Sequence, residues 1–146
     1  MNKFYMIVSF ASLVAFGCAG AGKWKAAAGP LTPCPASPNC VSSQTADPGH
    51  KMAAMPYTGT EQAAMERLAA ILAAMPRVQI VERREHYLHA VFVSKVFRFK
   101  DDVEFVTDDA AKVIHFRSAS RLGYSDFGAN RKRMEDISRR FSEAAP

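Results

Sequence analysis

Between residues 78 and 117 the chain carries four β-rich segments in such quick succession that their pairing is nearly forced. They cover residues 78–84, 86–93, 103–106 and 113–117. A parallel return needs a crossover of a dozen or more residues, which none of these gaps supplies, so the strands pair largely antiparallel. The segment HYLHAVFV, residues 86–93, has apolar residues on both alternating faces, as a central strand does. Thr107-Asp108-Asp109 reads as a turn. VFRFK, residues 96–100, either prolongs the second strand or loops across the sheet end.

The hydrophobic period changes on both sides of this block. Upstream, Ala64, Met65, Leu68, Ile71, Leu72 and Met75 recur in steps of three and four, a single helical stripe. Thr58 and Glu61 have capping-box spacing, with Thr60 as a second possible start, and Pro76 stops the helix. Downstream, Gly123 and Gly128 interrupt the pattern. A last helix over about residues 127–142 then turns Met134, Ile137 and Phe141 inward, with Ser125 or Asp126 as its N-cap. The expected order is helix, four strands, helix. That is a two-layer α+β domain: a four-stranded, mainly antiparallel sheet with an N-terminal and a C-terminal helix on one face.

A chain of 146 residues holds one such domain. Its three cysteines make an odd number, and where the chain resides decides their use. Lys3 precedes an apolar run over residues 4–16, the outline of an export signal. The exit Ala15-Phe16-Gly17-Cys18 resembles a bacterial lipobox, with Ala15 where Leu is usual. The expected organisation is a signal peptide over residues 1–17, Cys18 lipidated as the mature N-terminus, a flexible tether over 18–33 and the domain over 34–146. The alternatives are cleavage at Ala19-Gly20-Ala21, giving a soluble periplasmic protein, or an uncleaved anchor. All three place the domain outside the cytoplasm. There Cys34 and Cys40, flanking five residues, favour a disulfide contributing roughly 2–3 kcal/mol; a reactive or metal-binding pair is the rival.

The charge is +5, with Arg131, Lys132, Arg133, Arg139 and Arg140 near the C-terminus. This local cluster lacks the broad basic face with exposed aromatics that nucleic acid requires. The histidines offer no clear metal set: His86 and His89 point to opposite faces of a strand, and only His89 and His115 could meet across strands. No cofactor motif or phosphate loop is present.

The densest polar run follows the fourth strand: Arg117-Ser118-Ala119-Ser120-Arg121, then a helix start holding Asp126, Asn130 and Arg133. Asn130 lies four residues before Met134, on the inward stripe, and a buried Asn needs partners. One solution is an internal network pairing Asp101, Asp102 or Asp126 with Arg117, Arg121 or Arg133. The other is a shallow anion pocket for a phosphate, carboxylate or lipid headgroup.

CPASPNCVSS (residues 34–43), FKDDVEF (99–105) and RSASRLGYSDFGANRKRMEDI (117–137) resemble the bacterial and plastid domain-of-unknown-function family 1499 over about residues 31–141. The resemblance implies an exported or lipid-anchored setting and no activity. Its motif positions here are Cys34, Pro35, Pro38, Asn39, Cys40, Asp101, Asp102, Arg117, Ser118, Ser120, Arg121, Gly123, Asp126, Gly128, Asn130 and Arg133. The expectation is a non-enzymatic envelope lipoprotein, held at the membrane by its N-terminal lipid, that binds an anionic ligand or an envelope protein through the Arg117–Arg133 surface. The alternative is a small hydrolase or transferase using Asp101/Asp102 with Ser118 or Ser120.

Overall fold

The computed structural model describes residues 31–144. The expected signal peptide, Cys18 and all but the end of the tether lie outside the described residues. At that end Leu31 is already buried and donates its N–H to Gln44 Oε1, so the domain is in place before Cys34.

Six strands and two helices follow: β1 (Cys40–Ser42), β2 (Met55–Pro56), α1 (Glu61–Ala74), β3 (Val78–Arg83), β4 (Tyr87–Val93), β5 (Lys100–Asp108), β6 (Val113–Ser120) and α2 (Ala129–Glu143). The fold is α+β, and every strand pairing is antiparallel. The sheet runs β1-β6-β5-β4-β3, with β2 also on β6. The expectation of four strands, with a helix as the first element, is therefore corrected. Two short strands precede α1, which stands mid-chain. Cys40–Ser42 and Met55–Pro56 are too short to show a period, and they are strands because β6 offers an edge to pair with.

Local chemistry sets the helix ends. Thr60 caps α1 by accepting the Ala63 N–H at 3.2 Å, and the Met75 N–H closes on Leu72 O before Pro76. Glu61 does not box with Thr58; it bonds His86 Nδ1 at 2.8 Å and takes the Thr107 hydroxyl. The N-cap of α2 is Gly128, at φ 79°, rather than Ser125 or Asp126. Asp126 still serves that end, since Oδ2 accepts the Asn130 N–H at 2.7 Å.

Both helices cover the same sheet face, α1 over β3 and β4, α2 over β6 and β1. Leu68 and Leu72 of α1 and Met134, Ile137 and Phe141 of α2 close on Leu88, Phe105, Ile114 and Phe116 of the sheet. No described helix is long and apolar enough to cross a membrane.

Candidate functional site

Strand β5 runs from Lys100, so Asp101 and Asp102 are consecutive strand residues whose side chains leave on opposite faces. They belong to two separate polar systems.

The inner system lies between the sheet and α2. Asn130 is 1% exposed and Ser118 fully buried. The Asn130 amide oxygen accepts from Ser118 Oγ at 2.6 Å and from Arg133 Nη1 at 2.5 Å. Its nitrogen faces Asn39 O, Ser120 Oγ and Asp126 Oδ2 at 3.0, 3.0 and 2.7 Å. Arg133 Nη2 donates to Asp101 Oδ2 at 2.5 Å, and its guanidinium sits 4.8 Å from the Phe92 ring centre. Six of the expected site residues (Asp101, Ser118, Ser120, Asp126, Asn130 and Arg133) thus saturate one another. Buried donors and acceptors that find partners this way add rigidity and leave little for a ligand.

The outer system lies on the sheet face that no helix covers. Arg121 grips Asp102 through two bonds of 2.8 Å, and His89 Nε2 lies 2.8 Å from Asp102 Oδ1. The Arg121 bond is the main force holding the Asp102 carboxyl below the ordinary range; burial opposes it, and the His89 bond assists. One row along, Glu104 accepts from Tyr87 Oη at 2.8 Å and from Arg117 Nη1 at 3.3 Å. Burial, then the bond to Glu104, pushes the Tyr87 phenol well above its usual value. These rows roof the small apolar residues Val91, Val106 and Ala119 without a helix. Arg117 Nε has no partner.

Beside the outer system, a groove of about 290 Å³ opens over β3 and β4. Val81, Val91 and Val93 form its apolar wall, and Arg77, Lys100 and Arg121 supply three cations. Val81 reaches it by alternation, since Val78 and Ile80 face the core, and it is 46% exposed where the β3–β4 register shifts between Ile80 and Glu82.

Of the expected site residues, then, Arg121 lines this groove. Asp101, Ser118 and Ser120 share the inner network, whereas Asp102 lies on the opposite face of the sheet. His89 and His115 do not meet, because β5 separates their strands; His115 Nδ1 instead lies 3.1 Å from Ser43 Oγ. Among the described residues no group of three His, Cys, Asp or Glu is placed to hold a metal ion. Cys34 and Cys40 are joined by a disulfide. The sequence reading missed Arg77, Lys100, His89 as a partner of Asp102, and the Tyr87–Glu104–Arg117 row. Two-residue alternation would put His89, Glu104 and Arg117 on one face, but only the strand register makes them neighbours.

This is a small α+β domain whose last helix is locked to the sheet by an Asn-centred network. The sequence model of the family described as "Protein of unknown function (DUF1499)" matches residues 30–141, and the chain belongs to that family. No curated protein matches it.

Proposed function

We propose that the chain is an exported cell-envelope lipoprotein whose domain is a non-enzymatic binding module for an anionic ligand with an apolar portion. Residues 1–17 act as the signal peptide and Cys18 as the lipid attachment site; soluble periplasmic and signal-anchored forms are the alternatives. The site is the groove over β3 and β4, with Arg77 and Lys100 facing the anion, Arg121 held at its edge by Asp102, and Val81, Val91 and Val93 facing the apolar part. One observation carries this reading. The interior arginine, asparagine and serines are spent on each other, whereas Arg77 and Lys100 border an open apolar concavity with no acid in its lining. Cations held above a partly desolvated wall attract an anion more strongly than isolated surface charges do.

Native mass spectrometry of protein extracted from its own envelope tests the proposal. The wild-type protein carries a co-purifying anionic molecule, and the Arg77→Gln/Lys100→Gln variant loses it with its melting temperature unchanged. A ligand-free wild-type mass, or equal occupancy in the variant, overturns the reading.

A further inference from the structure

Seven large hydrophobic side chains are exposed among the described residues, and six of them sit on two loops. Val96 (75%), Phe97 (73%) and Phe99 (50%) belong to the loop between β4 and β5. Leu122 (71%), Tyr124 (76%) and Phe127 (92%) belong to the loop between β6 and α2. In the antiparallel sheet both loops emerge at the same end, where the Arg121 N–H donates to Lys100 O at 3.1 Å and Asp101 pairs with Ser120. Phe97 and Phe99 stack on each other, ring centres 5.5 Å apart, rather than on the body of the domain. Phe127 holds a left-handed backbone, φ 54°, while its ring stays in solvent, so no packing of that ring offsets the strain.

The charge around these side chains has one sign. The loop SKVFRFK, residues 94–100, holds Lys95, Arg98 and Lys100 and no acid, and all three are exposed. In the second loop the sole acid, Asp126, is turned inward onto the Gly128 and Asn130 N–H groups. Aromatic and aliphatic tips interleaved with cations suit the headgroup layer of a membrane with anionic lipid, where rings enter the interface and Lys and Arg meet phosphates.

We infer that this end of the domain is a membrane-docking surface: the tips at Phe97, Phe99, Leu122, Tyr124 and Phe127 enter an anionic bilayer surface, with Lys95 and Arg98 holding its headgroups. The surface lies beyond the strand ends and adjoins the groove at Lys100 and Arg121, but its apolar tips and the cations Lys95 and Arg98 do not line the groove. It requires neither a ligand in the groove nor lipid on Cys18.

The test uses the full chain reconstituted into vesicles of neutral phosphatidylcholine, with or without anionic phosphatidylglycerol. An environment-sensitive dye is attached at Phe97→Cys, Tyr124→Cys or Ala110→Cys, each in a Cys18→Ser background; Ala110 lies in the β5–β6 turn at the opposite end of the sheet. The expected result is a blue shift at positions 97 and 124, with none at 110. The shift appears only with the anionic lipid and is lost in 1 M salt, where screening acts over about 3 Å. Lys95→Gln/Arg98→Gln removes most of it without changing the melting temperature. Equal emission at the three positions, or no dependence on anionic lipid, overturns the inference. So does a shift that follows protein density rather than lipid composition, which would assign the patch to a second copy of the chain.

Discussion

Asn130 ties several elements together: its side chain bonds β6 through Ser118 and Ser120, the β1 entry through Asn39, and Arg133 and Asp126 around its own helix. Leucine would fill the space while orphaning several of those groups, and each unsatisfied buried group costs about 1–3 kcal/mol. Asn130→Leu should therefore lower stability by roughly 2–4 kcal/mol in urea unfolding. Arg121→Ala, on an exposed pair, should leave the urea midpoint nearly where it was. His115 offers a test by pH. Burial lowers its pKa below the ordinary 6.5; Asp108 opposes this with a smaller upward pull, and Lys51 adds a still smaller downward one. The unfolded chain therefore takes up this proton at higher pH than the folded chain does. The stability tied to neutral His115 is complete above the unfolded value and is lost as pH falls toward the folded one. The urea midpoint should fall between about pH 7 and pH 5, and His115→Gln should reduce that fall; an identical fall in the variant would place the proton elsewhere.

The elements differ in what holds them. Helix α1 carries its own cap, stripe and stop, and it stands where those signals put it. Strand β1 is three residues long and has little intrinsic preference to be a strand. It is held by pairing with β6 and by the disulfide that ties its first residue, Cys40, to Cys34. A bridge closing so short a loop contributes roughly 2–3 kcal/mol by chain entropy. Cys34→Ser/Cys40→Ser should lose about that much in urea unfolding. Asn39 O takes both the Ser120 N–H and the Asn130 amide, so hydrogen exchange should rise first at Ser120 and the start of α2. Unchanged exchange there would show that β1 is held by pairing alone.

On the scale of the molecule the two sheet faces carry different work. One is sealed by both helices and by the Asn130 network. The other is roofed by rows of charged and aromatic side chains and keeps a groove ringed by cations. At one end of the strands the apolar loops gather. A lipid-anchored domain would be held close to a surface those loops could meet. Intact-mass analysis of the native protein tests the anchor: the expected mass begins at a lipidated Cys18, whereas a start at Gly22 or an uncut chain would discard it.

What the sequence determined alone is what a few neighbouring residues encode: the α1 stripe, the antiparallel pairing forced by short gaps, the C-terminal helix and the cysteine pair suited to a small loop. Hydrophobic period, capping and loop length act within a turn or a hairpin, so they can be read locally. The tertiary structure decided whatever depended on residues far apart in the chain. Cys40–Ser42 and Met55–Pro56 are strands because β6 lies beside them. Asp101 and Asp102 divide between an inner and an outer network because β5 starts at Lys100 and places consecutive residues on opposite faces. His89 finds Asp102 rather than His115 because β5 lies between their strands. The polar motif near the last helix was visible in the sequence. Its closure onto itself was one of the two readings the sequence offered, but which groups it joins was not legible, because the partners a buried asparagine meets are set by how the whole sheet packs against the helix.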